Sequence, residues 1–149
     1  MDAVVAWGQG RALLEATSGG VRTLETAVAG LLVLVGIINL LPVIGALGRE
    51  KLSSLYGIPI HETNLVILMR HRALLFGLIG AFVIYAAFRP LFQPLAFVAG
   101  FFSMLSFVIL AGVTGGTNEA IRKVVVVDMI GSVALAAAGL LYALKGHGT

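Results

Sequence analysis

Cysteine is absent from the chain, which excludes a disulfide, a thiolate nucleophile and a thiolate-held metal. Charge is nearly as scarce, with ten basic and seven acidic residues among 149, too few to cover the surface of a water-exposed domain. The formal charge of +3 and a pI near 9.7 come from arginines and lysines scattered in ones and twos. They form no basic stripe, so no nucleic-acid partner is expected. The chain has no Walker loop, no dinucleotide fingerprint after a strand, no G-x-S-x-G elbow and no zincin motif. Residues 1–22 carry Asp2, Arg11, Glu15 and Arg22 without an apolar run, and are not expected to act as a secretory signal.

What fills the chain instead is apolar. Hydrophobic residues make up 59% before the 19 glycines are added, and mean hydropathy is +1.04. Four segments, 26–47, 64–88, 95–114 and 124–144, each approach the roughly 20 apolar residues that cross a bilayer core. Backbone groups in lipid must be satisfied within their own segment, so the spans are helices, and short connections make neighbours antiparallel. The expected fold is all-α, an integral membrane up-down four-helix bundle covering 26–144. Residues 1–25 form an N-terminal extension, either an interfacial helix or, given Gly8, Gly10, Gly19 and Gly20, a frayed one; 145–149 is a tail. Within the first connection, Leu52, Leu55 and Tyr56 fall at helical spacing beside Arg49, Glu50 and Lys51, which predicts a short interfacial helix. Gly115-Gly116-Thr117-Asn118 reads as a turn, with Thr117 or Asn118 capping the next helix. Basic residues outside the spans divide four against four between the two sides and leave orientation open.

The informative residues are polar ones that a bilayer should exclude. Arg70-His71-Arg72 follows five apolar residues and precedes sixteen more, a depth at which a charge needs a partner or a route to water. Asp128 in the fourth span lies at a similar depth from the same side, which predicts an Arg70–Asp128 ion pair. At 100° per residue Arg70 shares a face with Gly77 and Ala81 and is expected to point inward, whereas Arg72, beside Leu75, Phe76, Ile79 and Val83, is expected to snorkel. Asn39, just ahead of Pro42, and Ser106 add polar atoms to the same half of the bundle; Asn64 and His71 complete the intramembrane set. His61, Glu62, Arg72, Glu119 and Arg122 are placed at the adjacent surface. This one-sided gathering implies a pocket open to one side. Two readings stay open: a clasp that only fixes helix register, or a clasp that also holds a ligand. No metal, cofactor or catalytic residue is assigned.

The stretches Leu55-Tyr56-Gly57-Ile58, Asn64-Leu65 through Leu68-Met69-Arg70-His71-Arg72-Ala73-Leu74-Leu75-Phe76-Gly77 and Ile121-Arg122-Lys123-Val124 through Asp128 resemble a group of small bacterial four-span membrane proteins of unknown function, distantly DoxX-like. Members are sometimes labelled phosphopantetheine adenylyltransferase. That label does not fit, because none of His61, His71 and His147 stands in the His-x-Gly-His pattern of that soluble enzyme. The resemblance covers about 40–142 and implies a multi-pass protein of the bacterial inner (plasma) membrane with Arg70, Arg72 and Asp128 as motif positions. It implies no activity. The functional expectation is a membrane accessory or binding protein whose pocket holds the head of a lipid, a quinone or another amphipathic molecule. Alternatives are a structural subunit, with a membrane-protein partner or a second copy, and a small proton-coupled transporter using Asp128; catalysis through His71 or His61 ranks last.

Overall fold

The structure, a computed structural model, describes the backbone of residues 2–146 and the side chains of residues 19–145. It consists of five α-helices: α1 (Asp2–Leu40), α2 (Arg49–Tyr56), α3 (Thr63–Ala87), α4 (Gln93–Thr114) and α5 (Glu119–Gly146). Two 3-10 segments, Leu41–Leu47 and Pro90–Phe92, complete it, and no strand occurs among the described residues. Among the described residues, four stretches are long and apolar enough to cross a membrane: Gly19–Leu47, Thr63–Ala87, Pro90–Thr114 and Glu119–Lys145. The chain is an all-α, multi-pass membrane four-helix bundle.

Local chemistry sets the boundaries. Pro42 has no N–H to return to the carbonyl of Ile38, so α1 tightens into the 3-10 segment that follows it. Glu62 caps α3, its carboxylate accepting from the backbone N–H groups of Asn64 and Leu65. Gly57, with φ of 63°, ends α2 in the left-handed conformation. Asn118 is the cap of α5: its Oδ1 accepts from the N–H of Ile121 at 2.8 Å, as the sequence leads one to expect of Thr117 or Asn118.

In the bundle α1 packs against α3 and α5, and α4 packs against the same two helices, which places α1 diagonally opposite α4 and α3 opposite α5. The core runs through Val28, Leu32 and Val35 of α1, Val83 and Ala86 of α3, Ala96 and Met104 of α4 and Leu135 of α5. Glycine sets the closest approach. A Cβ on Gly80 would stand 2.6 Å from the carbonyl oxygen of Gly36, and one on Gly36 would stand 2.8 Å from that of Gly80. The backbones of α1 and α3 meet there, an approach that small residues permit in membrane bundles. Large apolar side chains such as Leu78, Phe102 and Val113 are directed outward and suit a hydrocarbon surround.

Helix α2 forms where its apolar spacing predicts one, but its apolar face seats on protein. Leu52, Tyr56 and Ile60 are buried in a second small core with Val66, Met69 and Ile121, so α2 covers the end of the bundle at which α3 and α5 begin. Of the two alternatives for the N-terminal stretch, helical or frayed, the structure has the helix: residues 2–25 continue into the first span without a break. Side chains of residues 2–18, among them Trp7, lie outside the described set. The first span closes in the 3-10 segment after Leu40, and the fourth starts at Glu119, ahead of the expected 124.

Candidate functional site

A cavity of about 590 Å³ opens at the end covered by α2. That size falls in the range of about 300–1,000 Å³ usual for small-molecule pockets. Its walls come from every long helix: Asn39 and Pro42 from the end of the first span, Arg72 and Phe76 from α3, Ser103 from α4, and Lys123, Val127 and Asp128 from α5. Tyr56 and Asn118 line it from the covering segments. Arg72 and Asp128 each lie nine residues past the first residue of their helix, α3 and α5, which run from the same end. At about 1.5 Å per residue, both stand about 13 Å in from that end.

The arginine facing this space is Arg72, not Arg70. Its guanidinium carbon sits 4.9 Å from the ring centres of Phe76 and Phe107 and 5.8 Å from that of Tyr56. Three aromatic faces thus hold a cation at membrane depth, where each such contact contributes about 0.5–2 kcal/mol. Arg70 is exposed on the other side of α3 and donates from Nε to the carbonyl of Ala46 at 2.8 Å. The expected Arg70–Asp128 pair is therefore replaced by another arrangement, for a packing reason. Arg70 does share its face with Gly77, but that face receives the 3-10 segment, whose Val43 fills the space over Gly77. The face assigned to lipid, with Ile79 and Val83, is the one turned to the core.

Ion pairs among the described residues are Lys123–Glu119 at 2.8 Å, one turn apart on α5, and Lys145–Glu25 at 2.6 Å near the opposite end. Arg72 and Asp128 thus line one cavity as opposite charges without a contact pair. Below them, the Ser103 hydroxyl donates to Asn39 Oδ1 at 2.8 Å, while Asn39 Nδ2 donates to the Val35 carbonyl at 3.1 Å. Both charges act on the Tyr56 phenol. Burial raises its pKa above the ordinary 10.0, the charge of Arg72 opposes that rise, and the charge of Asp128 adds to it.

The structure gathers Asn39, Arg72, Glu119 and Asp128 of the expected set around this cavity. Ser106 lines an adjacent one of about 480 Å³ between α3 and α4, shared with Arg72, Phe76, Ser103 and Phe107. Asn64, Arg70, His71, His61, Glu62 and Arg122 line neither. His61 and His71 are exposed, and the Glu62 carboxylate is engaged as a cap, which holds its pKa below the ordinary 4.5.

Sequence reasoning omitted Tyr56, Ser103, Asn118 and Lys123. Ser103 had a signal: it lies on the small-residue stripe with Ala96 and Gly100, and it is the hydroxyl that a buried Asn39 requires. Tyr56 was visible as part of the apolar face of α2, but its role depends on α2 folding over the bundle. The donation from Asn118 Nδ2 to the Tyr56 carbonyl at 2.8 Å, which ties α5 to that cover, links residues 62 apart in sequence. Comparison with known proteins finds no matching family model, no matching curated protein and no matching solved structure.

Proposed function

We propose that this chain is a small accessory or binding protein of a bacterial inner membrane, and that its one-sided cavity holds the polar head of an amphipathic molecule such as a lipid or a quinone. The observation that carries this reading is the aromatic-held Arg72 guanidinium, facing a cavity whose remaining wall is largely apolar. A cation fixed at membrane depth and turned toward open space is placed to meet an anionic or carbonyl oxygen. Ile38, Leu41, Leu55, Phe76 and Val127 offer the apolar contact that the rest of such a molecule needs. The bacterial membrane rests on the DoxX-like resemblance. Asp128 in the same wall supports a second reading, proton-coupled transport of that molecule.

Native mass spectrometry of the gently solubilised protein, with identification of whatever stays bound, tests the first reading. The expected result is a stoichiometric amphipathic molecule held by the parent protein and lost from Arg72→Gln. A protein that retains nothing, or retains the molecule equally in Arg72→Gln, would overturn it.

A further inference from the structure

The hydrogen-bonding capacity around the cavity is unevenly used. Asn39 and Ser103 satisfy each other and the Val35 carbonyl. Ser106 donates to the Ser103 carbonyl at 3.2 Å, and Asn118 divides its amide between the Tyr56 carbonyl and the cap of α5. Glu119 and Lys123 neutralise one another. Among the described residues, four groups in the wall have no hydrogen-bond or ion-pair partner: the guanidinium of Arg72, which has only its aromatic contacts, the carboxylate of Asp128 and the hydroxyls of Tyr56 and the exposed Ser54. Among the described residues no fully buried side-chain nitrogen or oxygen is left unpaired, so these groups face open space and are not sealed in packing.

A head that satisfies this wall must offer acceptor oxygens to Arg72 and N–H donors to Asp128. A quinone offers acceptors only and leaves the carboxylate desolvated without a donor. An anionic head without an amine pairs with Arg72 but sets its charge against Asp128. A zwitterion meets both. We infer that the cavity selects a phosphoethanolamine-type head, with its phosphate on Arg72 and its ammonium on Asp128, and that the lipid's apolar chains leave through the adjacent cavity between α3 and α4. That second cavity meets the first at Arg72, Phe76 and Ser103 and continues past Phe107, Leu110 and Ala111 toward the outer surface, where Leu110 is 64% exposed. The inference rests on the amphiphile-binding reading and names the chemistry of the head.

The test is a competition. The detergent-purified full chain is offered equimolar phosphatidylethanolamine and phosphatidylglycerol with identical acyl chains, and the retained ratio is read by native mass spectrometry. Parent protein is expected to favour phosphatidylethanolamine on the order of tenfold, and Asp128→Asn to abolish that preference while still holding lipid. Water-soluble phosphoethanolamine, the same head without chains, is expected to compete only at far higher concentration. Equal retention of both lipids by the parent protein, or an unchanged ratio in Asp128→Asn, overturns the zwitterion inference and leaves amphiphile binding standing. Loss of all lipid from the parent protein overturns both. Should Asp128→Asn fail to fold, the parent ratio decides alone. Competition by soluble phosphoethanolamine on a par with the lipid overturns the chain path and assigns the site to a free phosphoamine.

Discussion

Ser103 on α4 donates its hydroxyl to Asn39 Oδ1 on α1 at 2.8 Å, joining the two helices that stand diagonally across the bundle. Both residues are buried, and the bond forms part of the floor of the cavity. Removing one partner leaves the other desolvated and short of a bond, whereas replacing both with apolar groups removes the demand. Ser103→Ala is expected to cost about 1–3 kcal/mol, and the double variant Asn39→Leu/Ser103→Ala less than the two single changes combined. Thermal unfolding in detergent checks this, and strict additivity would contradict it.

The meeting of Gly36 and Gly80 predicts a position-specific intolerance. Gly80→Ala drives its Cβ toward the Gly36 carbonyl and the Leu40 backbone nitrogen, neither of which can give way without moving α1. Overpacking of this kind costs about 1–3 kcal/mol. Gly112 and Gly139 meet nothing within 4 Å, so Gly112→Ala and Gly139→Ala are expected to be neutral or to stabilise by up to about 1 kcal/mol. Melting temperatures of the three variants, measured side by side, give the comparison.

Arg70 and Arg72 are expected to separate experimentally. Arg72→Gln removes the cation from the cavity and should abolish retention of a bound amphiphile, while Arg70→Gln should retain it. The second change removes the tie to the Ala46 carbonyl and is expected to loosen the 3-10 segment, seen as faster hydrogen exchange over residues 41–47. The reverse assignment of effects would show that the face turned to the cavity is the wrong one.

Glu62 gives a pH dependence with a definite sign. Its carboxylate accepts two backbone N–H bonds in the folded state, so its pKa lies below the ordinary 4.5. A depressed carboxylate contributes stability that is present above the unfolded value and is lost as pH falls through the folded one. Stability is therefore expected to decline below about pH 4.5 in the parent protein. The contribution of this site should be absent in Glu62→Gln. Unfolding midpoints of the two proteins from pH 3 to 6 provide the check, and parallel curves would contradict it.

Length and hydropathy by themselves determined the four spans, the up-down order and the end of the bundle where polar groups gather, because a bilayer demands long helices with internally satisfied backbones. Local chemistry likewise made the α5 cap and the helicity of α2 legible, through an Asn beside a Gly-Gly turn and an apolar spacing of three to four residues. The spacing of Arg70 and Arg72 also told that the two arginines project from opposed sides of α3, at 100° per residue. Which side is inside was a different matter. A helix apolar on most of its surface gives no strong bias between core and lipid, since hydrocarbon is as good a surround as protein for Leu or Val. Only tertiary structure decided it. The chain tightens at Pro42, lays the 3-10 segment over Gly77 and so covers the face that Arg70 shares; α2 folds back to bring Tyr56 to Arg72; and the glycine contact with α1 sets the rotation of α3 that turns Arg72 toward Asp128. These are contacts between segments distant in sequence, and the periodicity of one helix carries no record of them.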